Sequence, residues 1–261
     1  MTDKIITEQS GDIARIVFNQ PEKRNAVSLE MWEAVEAAVT RFAADESVRI
    51  LVLSGAGGKA FVSGADVSKF ESERASAEAV AHYNATTKRV YDLVEAFPKP
   101  TIAQIDGFCV GGGVALALCC DLRICGDNSQ FAIPAAKLGL GYGFPGIKRL
   151  VDVVGPAFAK EIFFTARRFD AEEARIMGLV NRVVPAEKVG EAAEETARMI
   201  AENAPMTVNS VKFIVGQTVL PESGRDLAAC DARVKACFDS QDYIEGRRAF
   251  LEKRKPEFVG A

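Results

Sequence analysis

Asp106-Gly-Phe-Cys-Val-Gly-Gly-Gly-Val-Ala-Leu-Ala-Leu-Cys-Cys-Asp121 crowds glycines into a turn and then runs on as an apolar helical segment. The first turn of a helix carries N–H groups without intrahelical acceptors, and the summed peptide dipole makes that end partly positive. Gly111, Gly112 and Gly113 bring no side chains, so a ligand oxygen can reach those donors. A tight turn with close helix packing accounts for the same residues. A second glycine-opened turn lies some fifty residues earlier. There Lys59-Ala-Phe-Val-Ser-Gly-Ala-Asp-Val67 follows the strand pattern Arg49-Ile-Leu-Val-Leu-Ser54 and turns at Gly64-Ala65.

Working outward, Lys4–Gln9 and Ile13–Phe18 read as a hairpin around a Ser10-Gly11 turn. A helix follows with Ser28 as N-cap. The strand at 48–54, a helix from Ala75 to Phe97 and the strand Thr101–Ile105 repeat a strand-helix alternation. Beyond about residue 190 the pattern is purely helical. The expected architecture is α/β, with stacked ββα turns over residues 1–190 and a helical region over 191–261. No linker, repeat or low-complexity stretch interrupts it.

The 261 residues suffice for a sizeable core, and the net charge of −4 argues against a general nucleic-acid or membrane surface. Met1-Thr-Asp-Lys-Ile-Ile6 has no basic-plus-apolar targeting signal, and no apolar run approaches a membrane span, so the cytoplasm is expected. Six scattered cysteines, with Cys119 and Cys120 adjacent in an apolar helix, read as buried reduced thiols. One histidine, His82, and no ligand spacing leave no metal site in view. Gly141-Tyr-Gly-Phe-Pro-Gly146 satisfies the dinucleotide pattern G-x-G-x-x-G, but no strand precedes it, and Gly55-Ala-Gly-Gly-Lys59 lacks the Walker spacing; neither NAD nor ATP chemistry is expected.

The chain resembles the crotonase, or enoyl-CoA hydratase/isomerase, superfamily nearly end to end. The resemblance rests on Asn19-Gln-Pro-Glu-Lys-Arg-Asn-Ala-Val27, the Gly64-Ala-Asp66 and triple-glycine turns, and Phe131-Ala-Ile-Pro134. It continues through Ala174-Arg-Ile-Met-Gly-Leu-Val180 to Asp242-Tyr-Ile-Glu-Gly-Arg-Arg-Ala-Phe-Leu-Glu-Lys-Arg254. It implies the crotonase (ClpP/crotonase-like) fold, a C-terminal region that builds homotrimers or homohexamers, and an acyl-CoA substrate, with coenzyme A part of the substrate and no separate cofactor. It further implies an oxyanion hole formed by the backbone N–H groups of Ala65 and Gly112, donating to the thioester oxygen as charge builds on it. For the coenzyme A portion it implies contacts from Arg24 and the backbone around Ala26, from Ala65, Asp66 and Val67, and from Lys59. Phe250 would cover the pocket, and Lys253 or Arg254 would reach it from a neighbouring subunit.

The resemblance departs where family hydratases carry two glutamates that hold and activate water. Those positions read Ala115 and Ala135, and no acid occurs in 112–119 or from Ser129 to Val151. Alanine cannot move a proton, and an acid–base group usually contributes about 10²–10⁴-fold. Tyr142, in Leu138-Gly-Leu-Gly-Tyr-Gly-Phe-Pro-Gly-Ile147, resembles the tyrosine of methylmalonyl-CoA decarboxylases, although those enzymes have histidine at the Ala65 position. Tyr142 reads either as a catalytic hydroxyl or as a loop aromatic closing the pocket. Asp106 and Asp121 read as turn or cap residues, and His82 as a surface residue. Val67, Phe70 and Phe144 suggest an apolar acyl lining.

Three functions follow. The first is an acyl-CoA enzyme that forms a thioester enolate without the glutamate pair, decarboxylase-like or isomerase-like. The second is a hydratase with a non-standard acid or base. The third is a non-catalytic acyl-CoA-binding protein.

Overall fold

Ten strands and nine α-helices occur among the described residues, 2–69 and 75–261, of the computed structural model. The side chain of Val67 and all of Phe70 lie outside the described residues, so their part in the lining is left aside. The hairpin is β1 (Ile5–Ser10) and β2 (Ile13–Phe18), followed by α1 (Leu29–Ala44). Then come β3 (Ile50–Gly55), β4 (Ala60–Val62) and α2 (Ala77–Glu95); β5 (Thr101–Ile105), β6 (Phe108–Val110) and α3 (Gly112–Cys119); and β7 (Leu122–Gly126), β8 (Gln130–Ala132) and α4 (Phe144–Thr165). The chain continues as β9 (Phe169–Asp170), α5 (Ala171–Ile176) and β10 (Arg182–Val184), and closes with α6 (Val189–Ala201), α7 (Pro205–Thr218), α8 (Leu227–Asp239) and α9 (Gln241–Glu252).

Each ββα turn sends its first strand into one sheet and its second into another. The larger sheet runs β1-β2-β3-β5-β7-β10, parallel apart from the β1–β2 hairpin. The smaller runs β4-β6-β8-β9, with β4, β6 and β8 parallel. Ile50–Leu53 is buried residue by residue, as expected of a parallel strand covered on both faces. α3 is apolar all round and correspondingly buried in the core. α6 packs on the larger sheet through Ala192, Ala193 and Ala197, so the first of the late helices belongs with the sheet layers. α4 is broken at Gly155, whose φ of 75° is non-helical and precedes Pro156.

This topology explains why motifs far apart in sequence meet. Ser63–Asp66 follows β4, Gly111–Gly113 follows β6 and Pro134–Leu138 follows β8. Parallel pairing of these three strands, with one register shift between Ala60 and Val62, places all three turns at one edge of the smaller sheet. That edge, at the carboxyl ends of parallel strands, is where α/β sheets place ligands.

Candidate active site

The three adjacent glycines perform three different tasks. Gly111 takes φ 55°, a left-handed turn that favours glycine, and its N–H donates to the Ala132 carbonyl at 2.8 Å. Gly113 lies directly against β4: a Cβ there would overlap the Val62 carbonyl oxygen and sit 3.0 Å from the Val62 carbonyl carbon. Gly112 is the first residue of α3, so its N–H has no acceptor within the helix.

Ala65 is freed by a different device. Val27 forms a parallel bridge with it, but the two bonds run from Val27 N–H to the Gly64 carbonyl (2.8 Å) and from Asp66 N–H to the Val27 carbonyl (2.9 Å). The Ala65 N–H therefore points out of the bridge. Among the described residues neither this N–H nor that of Gly112 donates to a backbone carbonyl. The two turns approach closely: a Cβ on Gly64, itself at φ 108°, would lie 3.4 Å from the Val110 carbonyl. Two such donors can bind an oxygen that gains negative charge.

A cleft of about 400 Å³ opens beside α3. Its walls are Tyr83, Asn84, Thr87, Lys88 and Tyr91 from α2, Ala115 and Leu118 from α3, and Gly141–Gly143, Pro145, Gly146 and Arg149 from the loop and start of α4. Ala115 and Tyr142 thus face one space, and no aspartate or glutamate is among the described residues lining it. Ala135 is buried at 5% exposure and does not line the cleft, so the two alanine positions are not equivalent. Tyr142 packs edge-on against Phe163, 4.9 Å between ring centroids, and burial pushes its hydroxyl above the usual tyrosine range.

The nearest acids stand behind the wall. Arg149 donates to Glu95 through Nε (2.9 Å) and Nη2 (2.6 Å) and to Asp92 through Nη2 (2.8 Å). Asp92 also accepts from Lys88. Both carboxylates of this cluster are therefore engaged by cations.

Tyr91 was not anticipated from the sequence. It is held edge-on to Trp32 (5.5 Å), and its hydroxyl donates to the Gly112 carbonyl at 3.2 Å. Burial pushes this hydroxyl well above the usual range, with Tyr142 adding to the rise. The available signal was spacing: Tyr83, Asn84, Thr87, Lys88 and Tyr91 recur at one face of the expected helix.

The residues assigned to the coenzyme A portion are only partly brought together. Arg24 is exposed, at φ 53°, with its guanidinium 4.9 Å from the Phe108 ring, and Lys59 is joined to Phe108 by the Phe108 N–H to Lys59 carbonyl bond. Ala26 is half-buried beside the Val27 bridge. The Asp66 carboxylate is already engaged by Lys23 Nζ (2.8 Å) and by Ser68 N–H (3.0 Å) and Oγ (2.6 Å). Burial raises its pKa, but these bonds outweigh that and hold it below the usual range.

Three expectations need correction for the single chain. Phe144 is 77% exposed and does not line the cleft, because it opens α4 facing outward. Phe250 lies on α9, 84% exposed, along an apolar groove with Val211, Phe238 and Leu251, and so does not cover the cleft of its own chain. Lys253 caps the end of α9 in the same region, and Arg254 is paired with Glu245 and Glu252. Ser28 does stand at the N-cap of α1, but its Oγ is buried without a partner among the described residues and makes no cap bond. Asp106 and Asp121 serve turns, the latter accepting from Thr101 N–H (2.7 Å), and His82 is exposed beside Glu33. No helix among the described residues is long and apolar enough to cross a membrane.

Residues 8–261 match the family model described as enoyl-CoA hydratase/isomerase. The chain is 35% identical over 257 residues to a crotonyl-CoA hydratase of Syntrophomonas wolfei, covering 98% of both chains. It is 35% identical over 265 residues to a carnitinyl-CoA dehydratase of Salmonella arizonae, covering 100% of both. Among solved structures, an enoyl-CoA hydratase/carnithine racemase from Magnetospirillum magneticum superposes with a TM-score of 0.92 at 36% identity, over 100% of this chain and 97% of the other.

Proposed function

This chain belongs to the enoyl-CoA hydratase/isomerase family, and we propose that it stabilises an acyl-CoA thioester enolate between the N–H groups of Ala65 and Gly112, in a decarboxylase-like or isomerase-like reaction rather than two-glutamate hydration. The observation that supports this most directly is the cleft beside Gly112, walled by Ala115 and Tyr142 and lined by no carboxylate among the described residues. Loss of CO₂ from a malonyl-type thioester generates the enolate without a base. The protein then has to hold the thioester oxygen, orient the departing carboxylate and supply a proton. Tyr142 is assigned the hydrogen bond to the carboxylate, since its buried hydroxyl stays protonated at neutral pH.

The deciding experiment offers crotonyl-CoA and methylmalonyl-CoA to the purified protein side by side, following hydration by absorbance and product masses by mass spectrometry. CO₂ loss without hydration is expected, and Tyr142→Phe should lower that rate by about 10²-fold. Rapid crotonyl-CoA hydration, or a Tyr142→Phe variant within a few-fold of the parent, would refute the corresponding assignment. The relatives' names favour hydration as the second reading. It would require a remote acid, from residues 70–95 (Asp92 or Glu95 leaving the Arg149 cluster, for example) or from a neighbouring chain, and restoring glutamate at Ala115 would then add little.

The apolar groove of about 860 Å³ between α7, α8 and α9 supports assembly into trimers or pairs of trimers, in which Phe250 and Lys253 would belong to a neighbour's site. Val211 and Phe238 are 55% and 60% exposed on it. Replacing both with aspartate is expected to reduce the mass in sedimentation from a multiple of 28.1 kDa to that of one chain. An unchanged oligomer would place the subunit contacts elsewhere.

A further inference from the structure

We propose that Tyr91 is a second catalytic hydroxyl, the one that delivers a proton to the α-carbon of the enolate; this rests on the enolate reading above. Four observations place it there. Its hydroxyl is bonded to the backbone of Gly112, the residue whose N–H is assigned to the thioester oxygen, and a Cβ on Gly112 would lie 3.2 Å from that same hydroxyl. That bond joins the hydroxyl to the turn that carries the donor. The Tyr91 side chain also lines the cleft that Ala115 and Tyr142 line.

It sits, moreover, on a rigid platform. α2 packs along α1 and against α3, and the Tyr91 ring is fixed by the edge of Trp32, whose own indole N–H donates to the Tyr83 hydroxyl at 3.2 Å. Tyr142, by contrast, belongs to the loop leading into α4. Finally, the bond to Gly112 is replaceable. At 3.2 Å it is long for an O–H···O contact, so rotation about the phenol C–O bond can turn the hydrogen from the carbonyl to the cleft. Two tyrosine hydroxyls, one on a loop and one on a helix, then divide the work of steering the carboxylate and protonating the carbon.

The step balances. Cleavage of the carboxylate C–C bond leaves its electron pair in the enolate and releases CO₂. The Tyr91 O–H then breaks, its hydrogen forms the new C–H bond, and the phenolate oxygen is reprotonated by solvent.

The test uses the complete protein with methylmalonyl-CoA in D₂O and reads the configuration of deuterium at the α-carbon of the product. The unaltered enzyme should deliver deuterium to one face. Tyr91→Phe keeps the ring against Trp32, and an unchanged melting temperature verifies its folding. The variant should form product at least about tenfold more slowly, with deuterium on both faces and KM little changed. A Tyr91→Phe variant that keeps one configuration and a rate within about twofold overturns the assignment while leaving the enolate reading intact. Failure of the unaltered protein to release CO₂ while it binds the thioester overturns the enolate reading, and the assignment with it.

Discussion

Replacing Gly113 with alanine is expected to destabilise the protein by about 3 kcal/mol and to abolish turnover, because the new methyl group would occupy the space of the Val62 carbonyl. The obstacle is main chain at the last residue of a paired strand, so relief requires α3 to move away from β4 and the Ala65 and Gly112 turns to separate. Urea denaturation should show a lower midpoint with an unchanged slope. Gly216→Ala is the instructive contrast. It lies within α7 with nothing within 4 Å of its would-be Cβ, and the same added methyl there should stabilise the protein by about 0.5–1 kcal/mol, as alanine is the better helix former. A Gly113→Ala protein as stable and active as the parent would mean that α3 and β4 are not held at this distance in solution.

Asn25→Ala is expected to cost about 3–5 kcal/mol and to weaken coenzyme A ester binding. Asn25 is fully buried at φ 54°, a conformation asparagine tolerates better than alanine. Its Oδ1 accepts from Gln20 N–H at 2.8 Å, and its Nδ2 donates to the carbonyls of Ala56 (3.1 Å) and Ala60 (2.7 Å). The side chain thus ties the Arg24–Ala26 turn to both ends of the loop entering β4. Alanine would leave two buried backbone groups and one half-buried carbonyl without their partner and release the segment that carries Arg24. Denaturation and a binding titration with a coenzyme A ester check the two effects; a loss below about 1 kcal/mol would show that water replaces the amide.

Much of the site was legible because it is built from backbone. A glycine-opened turn after a strand can be read from its residue types, since glycine takes Gly111's φ without strain and alone allows Gly113's approach to β4. Close packing falls to Gly113, while the Gly112 N–H is left without a backbone acceptor among the described residues. The alanines at 115 and 135, and the lack of any acid in 112–119 and from Ser129 to Val151, were equally plain from the chain. Tyr91 was overlooked because its importance comes from contacts with Gly112 and Trp32, 21 and 59 positions away, and an aromatic in a helix ordinarily fills a core. Phe144 was misplaced for the same reason, since an apolar residue type records that burial is favourable and not what covers it.

The sequence by itself determined the alternation of strand and helix, the family, the two glycine-opened turns and the alanines at 115 and 135, because each follows from residue type and local spacing. The tertiary structure alone decided which side chains share the cleft with Ala115 and how Asp92 and Glu95 are engaged by Arg149. It also decided that the Ala65 N–H turns away from Val27. These are distances between segments brought together by pairing across the smaller sheet and packing of α2 and α4 on α3, and no local pattern in the chain encodes them.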